Sequence, residues 1–328
     1  MNERELQDAV KGLPKSIEPP RDLWPGIQNR IGRRASRLRW YWVAVPLAAA
    51  AALVAVLVGR SGPVAWDVVP LAGRPLLGTK PLVASGRLRV GDWLQTDDSS
   101  RALIAVGKIG QVEVRPGSRV QLIAARADDH RLSLARGTID AKVDAIPRLF
   151  FVETAAGTAI DLGCAYTLET DSLGNGLLHV TGGAVEFQTA ERSSRVPLGA
   201  MVQIRPAIGP GIPYVEDAPE PFVHALATFA FENGGARSTR TVLALARAQD
   251  AISLWHLLQR VDPSLRGAVY DRLAALLPPP AGVTRAAALV LDQPALDSYW
   301  QKIHRILFRR TILRGVRRIS PRTGLTQP

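Results

Sequence analysis

GQVEVRPGSRVQLIAARADDHRLSLARGTIDAKV, residues 110–143, decides the fold class. Val112 and Val114, Val120 and Leu122, and Leu132 and Leu134 each fall two apart, the spacing at which side chains share one face of a strand. Pro116-Gly117, Asp128-Asp129 and Arg136-Gly137 interrupt the alternation with residues that favour turns. The stretch therefore reads as successive short strands.

The same texture extends in both directions. RALIAV (101–106), LFFVETAAGTAIDLG (149–163), YTLETDSLGNGLLHVTGGAVEF (166–187) and AMVQI (200–204) alternate in the same way, with Val185 and Phe187 again two apart. Further turn signals stand at Asp97-Asp98, Ala156-Gly157, Gly174-Asn175-Gly176 and Gly182-Gly183, roughly every ten to twelve residues. Residues 83–206 are thus expected to form an all-β domain, either a sandwich or a short coiled stack of strands.

Beyond a Pro/Gly-rich connector at 207–222 the period changes to that of helices. In STRTVLALARAQDAISLWHLLQRV, Leu243, Ala246, Ile252, Trp255, Leu258 and Val261 recur at helical spacing, with Ser238 as cap. Further helices are expected at 264–277, 284–291 and 295–313, separated by Pro278, Pro279, Pro280 and Pro294, followed by a basic tail at 314–328. Trp255 and Trp300 read as core anchors of this small helical domain, 223–313.

Ahead of the strands lies a different signal. From Trp40 to Val58 no residue is charged, and nineteen residues at helical rise span about 28 Å, close to the hydrocarbon thickness of a bilayer. A cleavable export signal has a shorter apolar centre nearer the start, so this reads as a permanent anchor. Trp40, Tyr41 and Trp42 suit the headgroup level, Pro46 sits in the first turns, and Leu53 and Leu57 lie within the span. Arg30, Arg33, Arg34, Arg37 and Arg39 precede it, whereas Arg60 alone follows within a dozen residues. Positive residues stay inside, so the chain is expected to be a single-pass protein of a bacterial inner membrane. Residues 1–39 would be cytoplasmic, 59–82 a linker and the bulk periplasmic.

The formal net charge is +12, which invites a nucleic-acid reading that the distribution opposes. Residues 1–39 carry nine basic and five acidic residues, and 302–328 eight basic and no acidic ones, while the 262 residues between hold 24 of each sign. No nucleic-acid partner is expected. The one cysteine, Cys164, excludes an internal disulfide and, inside an apolar run, reads as core. His130, His179, His224, His256 and His304 are scattered without a second ligand at metal-site spacing, so no metal and no cofactor are expected. Nucleophile elbows, phosphate loops and His-Glu-x-x-His are missing, and the Asp97-Asp98 and Asp128-Asp129 pairs read as turn formers. The sequence points away from an enzyme.

The β segment resembles the FecR domain, the periplasmic sensory module of bacterial transmembrane anti-sigma regulators. VGDWLQTDDSSRALIAV resembles the opening strand and turn of that family, GQVEVRPGSRVQLI its strand-turn-strand, and HRLSLARGTIDAKV its Leu-x-x-Gly element. FFVETAAGTAIDLGCAYTLETD resembles its most recognisable stretch, with Val152 and Thr154 leading a strand, Gly163 opening the next, and Cys164 where the family usually has Thr. LLHVTGGAVEF and LGAMVQI complete the order, so the resemblance covers about residues 83–206. It implies signalling to a sigma factor or another cytoplasmic regulator, with Leu23, Trp24 and Ile27 as candidate inner contacts in a stretch similar to the membrane approach of some anti-sigma proteins. A periplasmic or outer-membrane protein is the implied outer partner. The larger inner domain of such proteins, often with a His-x-x-x-Cys-x-x-Cys zinc motif, is missing: residues 1–39 contain neither His nor Cys. A periplasmic envelope scaffold without sigma-factor control remains the alternative. Ligand and oligomeric state are not legible.

The terminal KIHRILFRRTILRGVRRISPR sets Ile303, Ile306, Leu307, Leu313 and Val316 among the eight cations. Such a segment can lie on an anionic membrane surface, bind an acidic partner or remain a solvated tail. On the first of these, deleting 302–328 from an exported fragment should lower its binding to anionic liposomes in a flotation assay; unchanged binding removes surface attachment.

Overall fold

The computed structural model of the chain describes residues 65–319, with side chains through Ile306. The strands run β1 (Ala65–Ala72), β2 (Leu76–Leu77), β3 (Lys80–Pro81), β4 (Gly86–Arg89), β5 (Trp93–Gln95), β6 (Arg101–Val106), β7 (Gly110–Val114), β8 (Arg119–Arg126) and β9 (Asp129–Val143). They continue with β10 (Phe150–Thr154), β11 (Gly157–Asp161), β12 (Ala165–Thr170), β13 (Gly176–Gly182), β14 (Ala184–Gln188), β15 (Ser193–Pro197), β16 (Ala200–Arg205), β17 (Gly209–Pro210) and β18 (Tyr214–Val215).

These strands make two sheets. One runs β4-β1-β6-β7-β9-β12-β13-β16, with β17 and β18 on its last strand. The other runs β3-β2-β5-β8-β9-β10-β11-β14-β15. β9 belongs to both: residues 129–136 pair with β8, and residues 137–142 pair with β12. Between the two halves Gly137 adopts φ +92°, where an added Cβ would stand closer than 3.0 Å to the Ser118 backbone and hydroxyl. The chain then returns through 144–149 to lay β10 parallel to the first half of β9, with Phe150 opposite His130 and Val152 opposite Leu132. Every other pairing is antiparallel. The β part is thus two sheets joined through one shared strand, β9.

Alternation explains what the sheets bury. Ile104, Val112, Ile139, Leu168 and Val202 of the first sheet and Leu94, Val120, Leu132, Val152 and Phe187 of the second have no exposed surface. Each such side chain contributes roughly 1.5–3 kcal/mol on burial.

The C-terminal part is helical: α1 (Glu220–Phe231), α2 (Gly235–Leu245), a 3-10 turn (Ala248–Asp250), α3 (Ala251–Arg260), α4 (Pro263–Leu276), α5 (Arg285–Leu289) and α6 (Gln293–Ile319). In α3 every residue from Ala251 to Leu258 is buried, as expected of a helix surrounded on all sides. Proline at the first position of α4 and the Asp262 carboxylate, accepting from the Ser264 N–H, set that helix's start. Strands and helices share one compact unit and one apolar core.

Several sequence expectations change. The expected linker 59–82 contains β1 to β3, and Trp66 and Val68 of β1 are buried; its glycines and prolines serve tight turns, with Gly73 and Gly78 at positive φ. The expected connector 207–222 holds β17, β18 and the start of α1, and it buries Ile212, Tyr214 and Val215. Ser238 is not a cap but lies buried inside α2, and the helical period across 243–252 spans a break. There the fully buried Asp250 carboxylate accepts from the Arg247 backbone and guanidinium, which holds the chain in a tight turn. α6 runs to Ile319, through the expected start of the tail at 314. The expected membrane span 40–58 lies outside the described residues; among the described residues no helix is long and apolar enough to cross a membrane.

Gly137→Ala should therefore cost at least ~3 kcal/mol, combining left-handed backbone strain with overlap on Ser118. Gly78→Ala, at φ +62° with open space around it, should cost only about 1 kcal/mol. Urea unfolding of the full-length chain in detergent, followed by near-UV circular dichroism, measures both.

Candidate functional site

β15 is hydrogen-bonded to β14 on one side only, so its other edge presents backbone groups that need partners. Side chains of α3 supply them. The Arg195 backbone N–H donates to His256 Nε2 at 3.1 Å, and Arg260 Nη2 donates to the Ser193 carbonyl at 2.7 Å and to Ser194 Oγ at 2.7 Å. Arg260 Nη1 donates to the carbonyls of Pro210 and Gly211, and Ser253 Oγ donates to the Pro213 carbonyl. The helices close the sheet edge much as another strand would.

The electrostatics follow from burial. His256 is 3% exposed, and its Nδ1–H donates to the Ile252 carbonyl, so Nε2 is left as the acceptor that the Arg195 N–H requires. Burial, with Arg260 next to it, pushes the His256 imidazole down to about 3. It is neutral at physiological pH. Burial, and then Arg192, lowers Arg260 to about 10, which leaves it a cation. Trp255 packs on Trp300 at 5.0 Å between ring centroids and donates Nε1–H to the Leu296 carbonyl; both rings are buried core anchors. Arg195 reaches Asp297 of α6 at 2.9 Å. A cleft of about 210 Å³ opens among these groups, between β15, α3 and the start of α6.

Elsewhere the candidates from sequence are dispersed. Cys164 is buried and donates its thiol hydrogen to Asp161 at 2.7 Å; burial, then the Asp161 charge, pushes the thiol up, so it stays protonated. Burial also raises the Asp161 carboxyl. Asp97 accepts from the Ser99 and Ser100 backbones in a turn, and the Ser99 N–H leads in lowering it to about 2. Asp129 opens β9 beside Arg126. Among the described residues no three metal-ligating side chains gather at one point. Leu23, Trp24, Ile27, Arg37, Arg39, Trp40, Tyr41, Trp42, Pro46, Leu53 and Leu57 lie outside the described residues. Sequence reasoning missed Arg195, His256 and Arg260 as a group; the available hint was an arginine closing the apolar run LWHLLQR.

No family model matches the chain, and no curated protein matches it. Two solved structures of a candidate anti-sigma factor from Parabacteroides distasonis ATCC 8503, at 1.65 and 2.50 Å resolution, are similar over part of their length. Each is 16% identical with a TM-score of 0.34, over 40% of this chain and 63% or 62% of the other. The chain thus matches less than two thirds of those neighbours' length, and a likeness of this size carries no argument about function.

The pH dependence of stability tests the neutral histidine. The unfolded chain takes up a proton at His256 below about 6.5 and the folded chain only near 3, so this contribution is fully present above pH 6.5 and is lost as pH falls toward 3. The slope should approach ~1.4 kcal/mol per pH unit within that window. Asp161, whose carboxyl is raised, acts in the opposite sense, so the comparison that isolates His256 is wild type against His256→Phe. That variant should lose the His256 share of the slope, leaving that of His130 and His304, whose imidazoles burial also lowers, and, above pH 7, about 1–3 kcal/mol for the orphaned Arg195 N–H, read by urea unfolding at each pH.

Proposed function

We propose that the chain is a single-pass regulator of the bacterial envelope, non-enzymatic, with its N-terminus cytoplasmic and its folded unit in the periplasm. In this reading the FecR-like strands and helices bind a partner or register an envelope condition, and residues 1–39 pass it to a sigma factor or another cytoplasmic regulator by protein contact. The observation that carries it is the uncharged stretch 40–58, with arginines crowded at one end, joined after only six residues to a large folded β unit. Motif order across 83–206 supports the sensory role. A single helix can transmit only if the outside ligand favours one arrangement of helix, oligomer or inner segment over another.

One observation favours a scaffold instead. Residues 1–39 lack the His and Cys of the zinc motif that such regulators often carry. In that case the β unit and helices hold other envelope components and the inner segment only sets orientation.

In-cell crosslinking from a photoreactive residue at Leu23 or Trp24 of the full-length protein separates the two. Capture of a sigma factor, together with loss of the transcriptional response when 1–39 is replaced by an unrelated basic sequence, is the expected result. Capture of lipid and neighbouring membrane proteins alone, with transcription indifferent to the replacement, turns the assignment to a scaffold.

A further inference from the structure

Arg260 carries a charge that nothing near it balances. A guanidinium has five N–H donors, and four are committed, to the carbonyls of Pro210, Gly211 and Ser193 and to Ser194 Oγ. All four acceptors are uncharged. Among the described residues Arg260 forms no ion pair, and Arg192 close by is likewise bonded to a carbonyl, that of Ala230. The remaining Arg260 donor, Nε–H, belongs to a side chain that lines the 210 Å³ cleft.

The acids sharing that cleft do not fill the role. Glu186 is engaged on both oxygens, by Arg148 at 2.6 Å and Ser193 Oγ at 2.7 Å. Asp297 is engaged by Arg195 Nη1, which leaves the other donors of Arg195 uncommitted. His256, with both ring nitrogens bonded, neither competes for an anion nor adds a charge. Two guanidinium groups therefore border one small cleft with donors to spare. Such groups match the planar or tetrahedral oxygens of carboxylate and phosphate.

We propose that the cleft between β15, α3 and α6 binds a small oxyanion, either inorganic or the carboxylate of a small organic acid, held between Arg195 and Arg260. Bound there, the anion bridges the sheet edge to the helices and compensates a partly buried cation that the described residues leave unpaired. The site stands independently of whether residues 1–39 contact a regulator.

The test is calorimetric titration of the purified full-length chain in neutral detergent with sodium phosphate and with sodium acetate, against sodium chloride at equal ionic strength. A saturable response to phosphate or acetate, absent with chloride, is expected, and the stronger of the two says which source the site prefers. Arg195→Gln, at a half-exposed side chain, should weaken it about tenfold, the effect of losing one charge-assisted contact, with folding verified by circular dichroism. Arg260→Lys, which keeps the charge but not the fork, should also weaken it, with folding verified by circular dichroism. A response identical to chloride, or saturable binding unchanged in Arg195→Gln, overturns the proposal. Because the readout is binding by the purified protein and not transcription, its failure leaves the regulatory reading untouched, and the reverse.

Discussion

The β unit depends on one position where a side chain cannot stand. At Gly137 the strand β9 leaves one sheet and enters the other, and the backbone passes so close to Ser118 that only hydrogen fits. The buried Ser118 hydroxyl accepts from the Thr138 N–H and donates to the Thr138 carbonyl, while the Ser118 N–H reaches Thr96 Oγ1. Thr96 Oγ1 in turn donates to the Arg115 carbonyl. A crossing between sheets interrupts both ladders, and each freed backbone group would otherwise be buried without a partner. Two short hydroxyl side chains, Ser118 and Thr96, answer that need, and the crossing becomes a fixed point from which β7, β8, β10 and β12 take their registers.

A second constraint ties the helices to this frame. The free edge of β15 is closed by His256 and Arg260, and the Pro213 carbonyl is met by Ser253, all on α3, a helix with almost no exposed surface. Separating α3 from the sheet would leave an N–H, several carbonyls and a guanidinium without partners, each costing about 1–3 kcal/mol or more. Sheet and helices therefore respond together to anything that alters the seam. A ligand there acts on the whole unit rather than on a hinged appendage.

Much of this was legible in the sequence where period carries the information. RALIAV coincides with β6, and the stretch 110–143 contains β7, β8 and β9 with their turns where Pro116-Gly117 and Asp128-Asp129 stand. Illegibility began where elements are too short to show a period: β2 and β3 have two residues each, so Gly73, Pro75, Gly78 and Pro81 look like a linker although they turn a folded chain. The helical pattern across 238–261 is continuous in spacing, yet the buried Asp250 paired with a half-buried Arg247 breaks it, and hydrophobic period is blind to a polar lock. The seam was hidden for another reason. Arg260 meets partners 49 to 67 residues away, and a cation at the end of a helix looks the same in sequence whether it ends in water or against a sheet edge.

Charge distribution connects these levels. The middle of the chain is neutral in sum, which argues against a general phosphate-binding surface, but neutrality in sum says nothing about local balance. Most described ion pairs, such as Arg101 with Glu113 and Arg285 with Asp271, lie on the surface, where each partner is half solvated and the pair contributes little. Arg260 differs in being a partly buried cation given only carbonyls and a hydroxyl as partners. Folding a guanidinium into such a place is unfavourable unless its hydrogen bonds are nearly complete, and at Arg260 they are complete but for one donor. The single donor left over, on a side chain that lines a cleft of molecular size beside a second arginine, is where the physical argument for the fold meets the argument for binding.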